Sequence, residues 1–166
     1  DTTMIKNNRI LAIDPGYERI GIAILEKNSK GKEELVFSDC FKTEAKLPLY
    51  ERLTKIGKKI FEIISEYKPN VLAIEKLYFT NNQKTVMGVS EARGVILFAS
   101  RFHNLEIFEY TPPEIKVAVT GYGKADKKMI LDMIPRLIKI EKTIKSDDEM
   151  DAIAVGLTCL ACQKFK

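Results

Sequence analysis

Arg9-Ile-Leu-Ala-Ile-Asp14-Pro-Gly16-Tyr-Glu-Arg19-Ile-Gly21-Ile-Ala-Ile-Leu-Glu26 is the stretch that decides the fold. Two apolar runs, Ile10 to Ile13 and Ile20 to Leu25, flank a polar turn. The first is too continuous for a strand with one wet face, so it reads as a buried central strand with Asp14 at its carboxyl end. Pro15 and Gly16 turn the chain, and the second run returns as an antiparallel partner. Open α/β sheets bind ligands at the carboxyl ends of their strands, which makes Asp14 a candidate site residue. A lone Asp-Pro-Gly is as readily a turn that caps its own backbone, so Asp14 gains meaning only if other acids join it.

Outward from this hairpin, a polar turn at Asn28 to Lys32 leads into a third strand, Glu34 to Phe41, antiparallel to the second. Leu49, Leu53, Ile56, Ile60, Ile63, Ile64 and Tyr67 recur at helical spacing, and Pro69 stops that helix. Val71 to Ile74 is a fourth apolar strand, ending in Glu75. A right-handed crossover makes it parallel to the first, so Glu75 emerges at the same sheet edge as Asp14. A helix from about Thr85 to Phe102, a fifth strand from Leu105 to Tyr110, a short helix from Pro112 through Val119, a helix from Lys124 to Leu137 and a last helix starting near Ser146 follow. The expected architecture is α/β: a five-stranded mixed sheet flanked by helices, one domain over residues 9–166. Residues 1–8 are read as a leader, because Asp1-Thr2-Thr3 precede Met4.

Ser146-Asp-Asp-Glu149 has capping-box spacing, with Ser146 as N-cap and Glu149 at the third helical position. Asp148 and Asp151 then lie three apart on one helix face. Negative charge is favourable at any helix N-terminus, which accounts well for Asp147, Asp148 and Glu149 and less well for Asp151, followed at once by an apolar run. Asp14, Glu75, Asp148 and Asp151 thus converge from three separate places. Such a cluster repels itself unless cations neutralise it. Oxygen ligands without His or Cys select hard ions, so Mg²⁺ or Mn²⁺ is expected.

The 166 residues carry a formal net charge of +4, compatible with a polyanionic partner. Three cysteines, odd and sparse, point to a reduced, cytoplasmic setting. Cys159 and Cys162 have zinc-like spacing but lie in an apolar run without a second ligand pair, so buried helix packing is the preferred reading. His103, in a turn, is read as a surface residue. No stretch approaches the ~20 apolar residues of a membrane span.

Taken together, Asp14-Pro-Gly, Ala-Ile-Glu75-Lys-Leu-Tyr-Phe, Glu91-Ala-Arg-Gly94, Lys116 before Val119-Thr-Gly121, and Asp148-Glu-Met-Asp151-Ala resemble the RuvC family of bacterial Holliday junction resolvases, in the right order from about Arg9 to Cys162. The resemblance implies a ribonuclease H-like fold and a homodimeric, metal-dependent endonuclease that nicks two opposed strands of a four-way DNA junction. It makes Asp14, Glu75, Asp148 and Asp151 the catalytic acids, holding two ions. Lys116 and Lys127 match basic residues near the scissile phosphate. Tyr78 matches an aromatic that stacks near the junction centre, with Tyr where phenylalanine is common. Asp147 and Lys128 are the competing positions one residue away, and a branch-migration motor as partner is left open. For the dimer, the second helix offers Met87, Val95 and Leu97 as apolar surface, Gly88 and Gly94 for close approach, and Glu91 and Arg93 as a polar rim.

Other classes stay in view. Resolvase-like nucleases that process ribosomal RNA precursors share the first-strand acid. Asp14-x-Gly16-x₄-Gly21 also resembles the phosphate loop of actin-like ATPases and sugar kinases, which need a second lobe that 166 residues do not supply. A non-catalytic nucleic-acid module would not need all four acids.

Overall fold

The computed structural model describes residues 8–77 and 81–163. In chain order its elements are β1 (Ile10–Asp14), β2 (Arg19–Lys27), β3 (Glu33–Lys42), α1 (Leu49–Tyr67), β4 (Val71–Glu75), α2 (Gln83–Phe102), β5 (Glu106–Tyr110), α3 (Pro112–Thr120), α4 (Lys127–Leu137) and α5 (Asp147–Cys162). The strands form one mixed sheet in the order β3-β2-β1-β4-β5. The β1-β2-β3 meander is antiparallel, whereas β4 and β5 run parallel to β1. Ile10 to Ile13 are wholly buried, as the central position of β1 requires.

Successive side chains of a strand point to opposite faces, and the two faces are built differently. One presents Leu11, Ile13, Ile22, Ile24, Leu72 and Ile74 to α1 and α2, which answer with Ile56, Ile60, Ile63 and Ile96. The other presents Ile10, Ala12, Ala23, Leu25, Val71 and Ala73 to α5, mainly to Ala152, Ile153 and Leu160. The second face has three alanines at its centre, so α5 lies close to the sheet. A β-carbon added to Gly156 would meet Leu25 and come within 3.1 Å of the Ala12 β-carbon, and one added to Gly21 would run into the main-chain carbonyl of Asp148. By the same alternation Asp14 follows Ala12, and Glu75 follows Ala73, onto the face that α5 covers.

Three expectations need correction. Helix α4 starts at Lys127 instead of Lys124, because the Asp126 carboxylate accepts the Met129 N–H at 2.8 Å and caps the helix there. Ser146 does precede α5, but the capping box is not formed. Its hydroxyl donates to Asp148 Oδ2 at 3.2 Å, and Glu149, almost fully buried, accepts from Ser38 at 2.6 Å and pairs with Lys142. A buried carboxylate with an ammonium partner has no reason to turn back to the backbone. The reciprocal box occurs instead at α3, between Thr111 and Glu114, with Pro112 at the first helical position. On α2, Val95 and Leu97 are half-buried against the bulky cluster, since α1 passes close at Gly57. The exposed apolar residues of α2 are Met87, Phe98 and Phe102.

Cys159 is buried and His103 exposed, as expected; Cys162, also read as buried, is instead exposed in the last turn of α5. Among the described residues no helix is long and apolar enough to cross a membrane.

Candidate active site

The site begins with strand register. Ile13 pairs with Ile74 in the parallel β1-β4 ladder, so Asp14 and Glu75, each one residue further on, end side by side at the carboxyl edge. Across the antiparallel pair Asp14 faces Gly21. The missing side chain there is what lets the first turn of α5 settle over the strand ends, bringing Asp148 and Asp151 to Asp14.

Electrostatics report the convergence. The Asp14 carboxyl is pushed up to about 8, first by burial and then by the negative charges of Glu75, Asp151 and Asp148, with Lys127 pulling the other way. Glu75 is also raised, by burial and by Asp151, although a hydrogen bond with Asp14 offsets part of this. Burial raises Asp151 too, and Lys127 opposes it. Asp147 is not among the charges that act on Asp14; it is exposed and meets Lys127 at 3.4 Å. The structure therefore gathers Asp14, Glu75, Asp148 and Asp151, and leaves Asp147 at the rim.

Lys127 is the first residue of α4, fixed by the Asp126 cap, and its ammonium lies 3.1 Å from Asp151. Burial alone would lower its pKa, but Asp151 and Asp147 outweigh that and hold it above the usual lysine range. Its neighbour Lys128 is exposed. Lys116, half-buried on α3, lines a cleft of about 150 Å³ together with Glu75, Ile115, Ile130 and Asp151. Tyr78 lies outside the described residues.

Sequence reasoning missed Arg19. From the first position of β2 its Nε reaches Asp148 Oδ2 at 2.9 Å. The signal was present, since Arg19 precedes Gly21 by two residues and so projects to the same face, but only the position of α5 reveals its partner. It also missed the Glu149, Lys142 and Ser38 cluster, which anchors the start of α5 to β3.

Among the described residues no three acid, imidazole or thiol groups are already closed into a ligand cage. The carboxylates nonetheless act on one another: burial first, and then the charges of Glu75, Asp151 and Asp148, push the Asp14 carboxyl up, and Lys127 does not cancel the effect. An all-oxygen, over-negative cluster of this kind fits a hard divalent cation.

Comparison with known proteins agrees with the fold. The family model for crossover junction endodeoxyribonuclease RuvC matches residues 10–159. The crossover junction endodeoxyribonuclease RuvC of Petrotoga mobilis is 47% identical over 148 residues, covering 89% of this chain and 90% of its own. That of Alkaliphilus metalliredigens is 43% identical over 148 residues, with the same coverage, 89% and 90%. A solved structure of T. thermophilus RuvC in complex with Holliday junction substrate superposes with a TM-score of 0.85 at 25% identity, covering 92% of this chain and 93% of that one. A five-stranded ribonuclease H-like sheet and a match along nearly the whole chain lead to one assignment: this chain belongs to the RuvC family of crossover junction endodeoxyribonucleases.

Proposed function

We propose that the protein is an endonuclease that resolves four-way DNA junctions, using Asp14, Glu75, Asp148 and Asp151 to hold divalent cations, Mg²⁺ with Mn²⁺ as a substitute, two per subunit. The observation that carries this reading is the convergence of the strand ends and the first turn of α5 on Asp14, set by the β1-β4 register and the absent side chain at Gly21, with burial and three neighbouring acids pushing the Asp14 carboxyl up to about 8. Bound ions would supply a water of lowered pKa and a counter-charge for the leaving 3′ oxygen.

The protein's own residues do the rest. Asp14 and Glu75, fixed by the β1-β4 register, form a rigid floor for the reacting phosphate. Lys116, which lines the same cleft as Asp151, and Lys127, held at Asp151, offer positive charge to the phosphate oxygens. Water attacks phosphorus, the bond to the 3′ oxygen breaks, and a 5′-phosphate and a 3′-hydroxyl remain. Tyr78 is assigned to stacking at the junction centre on the resemblance alone.

Paired nicks need two sites related by a two-fold axis, which a homodimer supplies. Met87, Gly94, Phe98 and Phe102 form one exposed stripe along α2, with Phe61 of α1 beside Phe102 at 6.1 Å. Gly94 has open space where a side chain would be. This stripe, not Val95 and Leu97, is the proposed seam.

Incubation with a mobile four-way junction, a linear duplex and an RNA hairpin, each with Mg²⁺, Mn²⁺ or chelator, tests the whole reading. Symmetric nicking of the junction alone, lost on chelation, is expected. Cleavage of the RNA hairpin in preference to the junction would replace it with RNA processing.

A further inference from the structure

Among the described residues, the Asp148 carboxylate is held through one of its two oxygens. Its Oδ2 takes the Arg19 Nε at 2.9 Å, the Ser146 hydroxyl at 3.2 Å and, more weakly, the Cys40 thiol at 3.8 Å. Arg19 Nη2 also donates to the Ser146 oxygen at 3.4 Å, so the donors are tied to each other as well as to the acid. Oδ1 is not an acceptor in any of these bonds. One carboxylate oxygen offers about two strong in-plane acceptor positions, so Oδ2 is saturated while Oδ1 is left over.

We infer that Arg19 is a positioning residue that makes Asp148 a one-oxygen metal ligand, by engaging Oδ2 and presenting Oδ1 to the site. The inference rests on the metal-site reading above. Outer groups that orient a ligating carboxylate matter to affinity even without touching the ion. The places of the three donors in the fold support the role: Cys40 pairs with Gly21 across β2-β3, Ser146 stands at the N-cap position of α5 with its hydroxyl turned to Asp148, and Arg19 opens β2, so the clamp joins the strand pair and the helix where Gly21 lets them approach. A mere counter-ion would act through charge alone. An orienting residue acts through its fixed planar donors, which lysine does not reproduce.

The test is Mn²⁺ affinity, read by electron paramagnetic resonance on the full-length protein, together with melting temperature in chelator. Arg19→Gln and Arg19→Lys are both expected to weaken binding on the order of 10-fold at unchanged melting temperature. Ser146→Ala, which removes a second donor to the same oxygen, is expected to weaken it in the same direction by less. If Arg19→Lys binds like wild type and Arg19→Gln binds more tightly, Arg19 is a competing charge and the inference fails. It fails too if all three variants bind as wild type does, because Arg19 is then only a surface ion pair. Asp14→Asn separates the two readings: wild-type Mn²⁺ affinity in that variant would overturn the metal site itself, and the role of Arg19 with it.

Discussion

The two faces of this sheet solve different problems with the same strands. Under α1 and α2, large branched side chains interlock: Ile13, Ile22, Ile24 and Ile74 meet Ile56, Ile60 and Ile96, all wholly buried or nearly so. Such packing is where stability is made, at about 1.5–3 kcal/mol for each such side chain removed from water. Under α5 the strands carry Ala12, Ala23, Ala73 and Gly21, and the helix answers with Ala152 and Gly156. That face gives up apolar volume for proximity. The gain is that the N-terminus of α5 comes down onto the ends of β1 and β4, where Asp14 and Glu75 share its face. One face fixes the strands; the other sets the distance between carboxylates.

The comparison is broken most severely at the carboxylates themselves. Asp14→Asn is expected to lower junction cleavage on the order of 10³-fold or more, several kcal/mol of barrier, with junction binding retained. The same change should affect stability in the opposite sense. With its folded pKa near 8 and its unfolded value near 3.8, Asp14 binds a proton more readily in the folded state, so its contribution is fully favourable below pH 3.8 and is lost as the pH rises through 8. In chelator, wild type should therefore lose melting temperature between about pH 5 and 8. The asparagine variant should lose less and melt roughly 5 °C higher at pH 8, the shift that about 2 kcal/mol gives a chain of this size. Identical pH dependence in the two proteins would mean that the Asp14 carboxyl is not held up by its surroundings.

Next in size is a cavity on the bulky face. Ile74→Ala, one residue before Glu75 but pointing the other way, should cost about 3 kcal/mol in denaturant unfolding. Its Mn²⁺ affinity at low temperature should stay within about twofold, because the α5 face is untouched. Gly21→Ala reverses the pattern. The new methyl would meet the Asp148 carbonyl, forcing α5 outward, at a cost of about 1–3 kcal/mol and with Mn²⁺ affinity falling further than after Ile74→Ala. Equal losses of affinity in the two variants would show that the faces are not separable.

How much of this could be read in the amino-acid sequence follows the same division. The antiparallel β1-β2-β3 meander, the parallel direction of β4 and the shared edge of Asp14 and Glu75 came from continuous apolar runs and the handedness of crossovers, which are local or topological signals. The family motifs pointed to the acids of α5. What was not readable depended on how closely elements approach: Arg19 reaching Asp148, Glu149 turning inward to Ser38 and Lys142 instead of closing a capping box, and Val95 tucked against α1 at Gly57. Spacing gives the face on which a residue lies. It does not give the partner that face will meet, and Glu149 shows that a well-placed capping signal yields when burial supplies a stronger partner.

The smallest expected effect is the sharpest test of where that close approach falls. Asp147 and Asp148 are adjacent in the first turn of α5, where any acid is favourable and sequence spacing distinguishes them poorly. In the structure they part: Asp148 acts on Asp14 and pairs with Arg19, whereas Asp147 is exposed and among the described residues meets Lys127 alone of the cations, at 3.4 Å. An exposed pair of this length is worth about 0–1 kcal/mol. Asp147→Asn should therefore leave melting temperature within about 1 °C and single-turnover cleavage within about threefold of wild type. Lys127 keeps Asp151 as its nearer partner at 3.1 Å, so its position should survive the loss. Asp148→Asn, by contrast, should fall with Asp14→Asn. If Asp147→Asn is instead the more damaging of the two, α5 meets the sheet one residue out of the register described, and Gly21 no longer lies beneath the acid that matters to cleavage.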